Sequence, residues 1–137
     1  MESFFFHELT IGQTAAFDLI VTDELIRQFS EISGDYNPMH TDPVYAKETA
    51  FKRPIAHGMI GGMLFSRLVG MYLPGKYALY MSQEIVFRQP IYSGYTISVR
   101  GEIVQKIEAF KTIKIKTTVQ HENTVLIDGF ALVKIIM

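Results

Sequence analysis

An aspartate and a histidine stand five residues apart in Gly34-Asp35-Tyr36-Asn37-Pro38-Met39-His40, a segment that cannot run as a regular helix. On a helix that spacing would turn the two side chains about 140° apart, and Gly34 and Pro38 both oppose continuous helix. A bent loop can instead aim the carboxylate and the imidazole at one point. A water molecule suits that point, held by one group and deprotonated or reprotonated by the other. The same residues also have a plainer reading. Asp and Asn beside Gly and Pro cap their own backbone in ordinary turns, and a lone loop histidine is commonly a surface residue.

The flanking elements would hold such a loop in place. Phe17, Leu19 and Val21 alternate with more polar neighbours, as in a short strand. Thr22 then offers an N-cap, and Asp23 and Glu24 suit the dipole of a first helical turn. Leu25, Phe29 and Ile32 follow at helical spacing, and Gly34 is a plausible stop. Asp42-Pro43 again pairs a cap with proline at the first helical position, opening a short helix to about Thr49.

After the break at Arg53-Pro54, residues 57–72 (HGMIGGMLFSRLVGMY) predict a helix that is apolar almost all round, with Arg67 its one charge. Such a helix must be buried on most sides. It is too short and too rich in glycine for a membrane span. Gly58, Gly61, Gly62 and Gly70 cost helix propensity, which points to close approach of backbone or ligand. Leu73-Pro74-Gly75 ends it.

From about Leu79 the period changes to two. Ile97, Val99, Gly101 and Ile103 alternate with polar residues, as do Ile113, Ile115, Thr117 and Val119. Residues 79–89 and 125–136 add two more strands, the last apolar on both faces, with turns at Tyr92-Ser93-Gly94 and His121-Glu122-Asn123. Lys111, Lys114 and Lys116 read as the solvated face of the sheet. The sum is α+β: one antiparallel sheet around one long helix, with apolar surface left over for a second copy to cover.

At 137 residues the chain is a single domain, residues 1–137, long enough to bury a core. A net charge of −1 leaves no basic field to draw it to nucleic acid or anionic lipid. The absence of cysteine excludes disulfides, thiolate metal ligands and a cysteine nucleophile. The opening MESFFFHELTIGQ lacks the basic start of a signal peptide, and VKIIM is no peroxisomal address. The cytoplasm is the expected setting, with neither a membrane nor a nucleic acid as partner.

Phe29-Ser30-Glu31-Ile32-Ser33-Gly34-Asp35-Tyr36-Asn37-Pro38-Met39-His40, followed by Ala46, resembles the hydratase-2 motif of MaoC-like and R-specific enoyl-CoA hydratases. Arg53-Pro54-Ile55-Ala56-His57-Gly58-Met59 is similar to the segment leading into that family's central helix. The likeness is strong from about residue 25 to 90 and rests on pattern alone in the C-terminal strands. Met39 stands where Leu or Ile is commoner. The resemblance implies a hot-dog fold, a homodimer, and hydration of trans-2-enoyl-CoA to (R)-3-hydroxyacyl-CoA, with the CoA thioester as substrate and no cofactor or metal. It makes Asp35 and His40 the catalytic pair and turns the Gly58 N–H to the thioester oxygen. It also puts Ser66 near the pair and Asn37 within the substrate-binding loop. His57 is either a ligand contact or a residue that caps or packs at the helix start.

The chemistry agrees. Hydrating a conjugated double bond needs a base for water, an acid for C2 and a partner for the enolate oxygen. At neutral pH an ordinary aspartate is ionised and an ordinary histidine mostly neutral, and a helix start at Gly58 offers free N–H groups. The rivals are an acyl-carrier-protein dehydratase with the same pair, a hot-dog thioesterase, and a non-catalytic acyl-thioester-binding subunit. A metal site on Asp35, His40 and His57 matches no zinc spacing.

Overall fold

The apolar–polar alternation of the second half of the chain becomes a five-stranded antiparallel sheet in the computed structural model, which describes residues 1–137. Strand β1 is Thr14–Ile20, and β2 (Ala78–Phe87), β3 (Thr96–Ile107), β4 (Thr112–His121) and β5 (Thr124–Ile135) follow. The order across the sheet is β1-β3-β4-β5-β2. Between β1 and β2 lie α1 (Asp23–Ser33), the single-turn α2 (Pro38–Thr41), α3 (Pro43–Glu48) and the central helix α4 (Met59–Met71).

The alternating residues fill one face. Ile97, Val99 and Ile103 of β3, Ile113, Ile115 and Val119 of β4, and Ile127, Ala131, Val133 and Ile135 of β5 are all buried. Helix α4 lies against this face and buries Ile60, Gly61, Leu64, Phe65, Leu68 and Val69. Each large side chain so buried stabilises the fold by about 1.5–3 kcal/mol. Close packing is possible because Gly101, Thr117 and Gly129 are in register across β3, β4 and β5. Leu68 settles over the gap at Gly101, where a Cβ would stand 3.0 Å from Leu68 Cδ2 and from Ile115 Cγ2.

Three details depart from the pattern read along the sequence. Helix α1 turns Ile26 and Ser30 inward and leaves Ile32 88% exposed, so its buried stripe is rotated from the expected Leu25-Phe29-Ile32 line. Pro38 starts a helical turn instead of breaking one, because Asn37 Oδ1 accepts the Met39 N–H at 3.0 Å. Helix α4 is buried on one face only, since one sheet covers one side. Met59, Met63 and Met71 face outward, as do Leu79, Met81 and Phe87 of the edge strand β2. The uncovered apolar surface therefore belongs to α4 and β2. Strand β5 lies inside the sheet between β4 and β2. No helix is long and apolar enough to cross a membrane.

Gly129 has no room for a side chain: a Cβ there would overlap the carbonyl oxygen of Glu84 on β2. Backbone cannot yield as a flexible side chain can. Gly129→Ala is expected to destabilise the fold by on the order of 3 kcal/mol, read as a lowered unfolding midpoint in urea. An unchanged midpoint would contradict the close β2–β5 approach.

Candidate active site

Helix α1 stops where Gly34 takes a left-handed conformation, φ 77°, which suits a residue without a Cβ. The chain then turns into Asp35. Ser33 Oγ accepts the Asp35 N–H at 3.1 Å, and Asp35 Oδ1 accepts the Asn37 N–H at 3.1 Å. The carboxylate thus shapes the turn with one oxygen and turns Oδ2 toward His57, 4.0 Å away. Asn37 caps α2, and that single turn carries His40.

His40 is fixed from behind. Its Nδ1 lies 2.7 Å from the Ile55 carbonyl oxygen, and the Ile55 N–H donates back to Met39 O at 3.2 Å. A carbonyl can only accept, so Nδ1 carries the hydrogen and the neutral ring keeps its lone pair on Nε2. One nitrogen or carboxylate oxygen from each of Asp35, His40 and His57 lies within 4.8 Å of the others. That separation suits one water between the Asp35 carboxylate and His40.

His57 lies beneath the pair, 2% exposed. Its Nε2 is 3.0 Å from the Asp35 carbonyl oxygen and 3.3 Å from Ser30 Oγ. Its ring stacks on His40 at 4.0 Å between centroids and meets Phe29 at 4.8 Å. Burial pulls its pKa below the ordinary histidine value, and His40 adds to the shift; the Asp35 carbonyl and carboxylate oppose it. The Nδ1 atom is buried without a partner.

The start of α4 completes the site. The N–H groups of Gly58 and Met59 donate to no backbone or side-chain acceptor in the chain, which leaves them and the positive end of the helix dipole available. Phe87 covers Gly58, and a Cβ on Gly58 would stand 2.7 Å from the Phe87 ring. A largely apolar cavity of about 460 Å³ opens here, lined by Met39, His40, Gly58, Phe87, Ile91 and Ile127 among others. On the other side of His40 lies a polar cavity of about 640 Å³, bordered by Arg27, Ser30, Tyr36, Arg53 and Ser93. His40 borders both.

The structure brings Asp35, His40 and His57 together and places Gly58 on the cavity that His40 lines. Asn37 serves the loop as a cap and lines neither cavity. Ser66 lies two turns beyond Gly58 on α4, exposed, and also lines neither cavity. Three participants went unread in the sequence: Ser30, the Ile55 carbonyl and Phe87. Ser30 had a signal, since it follows Ile26 by one helical step and so lies on a buried stripe. The donor set suits a metal poorly. The His57 nitrogen beside Asp35 already gives its hydrogen to a carbonyl, which leaves one carboxylate and one imidazole where structural sites use four ligands and catalytic sites three.

A five-stranded antiparallel sheet wrapped on one central helix defines the hot-dog class. The chain belongs to the MaoC-like domain family, whose model matches residues 7–125. It is 34% identical to an (R)-specific enoyl-CoA hydratase of Aeromonas caviae, over 93% of this chain and 96% of that protein. It is likewise 34% identical to a 3-hydroxybutyryl-CoA dehydratase of Methylorubrum extorquens, over 96% of this chain and 83% of that one. Among solved structures, the (R)-hydratase from A. caviae involved in PHA biosynthesis superposes with a TM-score of 0.89 at 34% identity, covering 93% of this chain and 97% of that chain.

The buried neutral state of His57 has a thermodynamic signature. Its pKa is lower in the folded chain than in the unfolded one, near 6.5. Below that pH the unfolded chain binds a proton that the folded chain refuses, so stability falls as pH falls. The depressed Glu24 carboxyl, held by Arg27, acts only near and below the ordinary carboxylate range. Between about pH 7 and pH 5.5, wild type is expected to lose more stability in urea titrations than His57→Phe. Equal slopes would contradict a neutral buried His57.

Proposed function

We propose that the chain is an (R)-specific enoyl-CoA hydratase, a cytoplasmic hydro-lyase that adds water to trans-2-enoyl-CoA and works as a homodimer. The observation that carries this reading is the closeness of the Asp35 carboxylate to His40, which itself lines an apolar cavity together with Gly58. The thioester carbonyl accepts from the Gly58 N–H at the helix start, and the acyl chain occupies the apolar cavity. Asp35 and His40 hold the water. As its oxygen bonds to C3, one of them takes its proton. The C2=C3 electron pair moves onto the thioester oxygen as an enolate, and the N–H and dipole stabilise that charge. The enolate then collapses, and C2 takes the proton held by the pair. Acid/base assistance of this kind contributes about 10²–10⁴-fold, and loss of an oxyanion donor costs about 3 kcal/mol. The chemistry needs no metal or cofactor.

A fixed carbonyl and a fixed water present one face of the enoyl plane. Similarity to proteins named for (R)-specific hydration supports that face as the one giving the (R) alcohol, with both elements of water added on the same side. The 3-hydroxybutyryl-CoA dehydratase relative fits the same reaction run backward. Supply of polyhydroxyalkanoate precursors or fatty acid metabolism is the pathway class in which such a product belongs.

Crotonyl-CoA is expected to lose its conjugated enoyl absorbance with this protein, and the product to be oxidised only by a dehydrogenase specific for (R)-3-hydroxyacyl-CoA. Asp35→Asn and His40→Gln are each expected to lower turnover at least about 10²-fold with the fold intact. An (S) product would falsify the assignment, and release of free thiol would indicate a thioesterase.

The exposed apolar surface of α4 and β2 supports a second copy as its cover. Sedimentation at micromolar concentration is expected to give a dimer. A stable active monomer would contradict it.

A further inference from the structure

We propose that His57 is a positioning residue for the water-handling pair, a buried side chain that touches both Asp35 and His40 and holds them in a single geometry from below. Its consequence for turnover rests on the hydratase reading; the tie itself does not. His57 touches Asp35 through Nε2, 3.0 Å from the backbone oxygen and 4.0 Å from Oδ2. It touches His40 with its ring face at 4.0 Å. Asp35 sits in a turn after α1, while His40 is on α2, and neither element packs on the other through an apolar core: α2 buries no residue. The Asp35–Asn37 and Asn37–Met39 hydrogen bonds link them along the loop, and His57 is the contact that both side chains share from below.

The identity of the residue fits the task. An Asp35 carbonyl can only accept, so Nε2 must carry the hydrogen, and Ser30 Oγ sits beside it at 3.3 Å. The ring's other nitrogen, Nδ1, is then an acceptor buried with no donor. Phenylalanine would fill the same space among Phe29, Ser30 and His40 without that orphan. What only the imidazole supplies is a flat face for His40 and, at its far edge, a hydrogen for the Asp35 backbone. Burial keeps the ring neutral, so the stack does not bring two cations together. A displacement of about 1 Å between reacting groups can cost on the order of 10²-fold in rate.

Two substitutions separate the two contacts. His57→Phe keeps a ring face and removes the N–H; His57→Gln keeps an amide N–H near the position of Nε2 and removes the face. Both are read by thermal unfolding, by kcat and KM on crotonyl-CoA, and by nitrogen-15 NMR of the histidine rings. In wild type, His57 is expected as the pure Nε2–H form and His40 as the Nδ1–H form. Each variant is expected to fold and to lower kcat about tenfold or more with KM within about twofold, and the His40 ring signals to move in His57→Gln. Loss of kcat only in proportion to loss of folded protein would overturn the proposal, and so would full kcat in His57→Phe. If wild type does not hydrate crotonyl-CoA, the functional reading falls alone. The NMR arm still decides the tie, because unchanged His40 signals in His57→Gln would overturn it without reference to activity.

Discussion

The depth at which α4 settles into the sheet decides where everything else lies. Leu68 can descend over Gly101 only because no side chain stands there, and Ile127 reaches α4 only because position 61 has none. With α4 held by one face, its N-terminus has a fixed height above the sheet. That height sets Gly58 beside Phe87 and His57 beneath the α1–α2 loop. A site made of backbone N–H groups tolerates little drift, since electrostatic stabilisation depends on donors already aimed at the developing charge.

Much of this was legible along the chain, and the limits have physical causes. The strands could be read because their inner residues alternate with polar ones, and the central helix because apolar residues fill its length. The Asp35–His40 pair could be read because Gly34 and Pro38 oppose one continuous helix through the segment, although Pro38 opens a short turn of its own. The rotation of α1 could not, because Leu25, Ile26 and Phe29 offer two overlapping apolar stripes and only packing selects between them. The placement of the uncovered surface on β2 and not β5 depended on strand order, which apolar content does not encode. The Ile55 carbonyl that sets the His40 tautomer left no trace, since every residue has a carbonyl. Ser66 was carried by resemblance, and the chain places it away from both cavities.

The site accepts local costs that a purely structural region would avoid. One buried imidazole nitrogen lacks a partner, and the two N–H groups at the start of α4 are unpaired. A buried unsatisfied polar group costs about 1–3 kcal/mol. These departures cluster within one turn of Gly58, while the sheet interior is apolar apart from Thr117, which accepts a hydrogen bond from Gln83 at 2.9 Å. The unpaired N–H groups at the start of α4 remain available to something that binds.

The order of the strands has a kinetic side. β3, β4 and β5 follow one another in sequence and pair as neighbours, so that meander closes only short loops. β1 has a single partner, and its last residue Ile20 pairs with Thr96. Everything that carries the loop and the start of α4 lies between those two residues. Closing so long a stretch costs chain entropy before any contact repays it. The meander needs only short closures, whereas the segment bearing Asp35, His40 and Gly58 is confined by two long-range contacts, α4 packed on the meander and β1 paired at its edge. Loosening of β1 at its edge would then slacken the α1 end of that segment while α4 stayed on the meander, and amide exchange would show the two parting at different free energies.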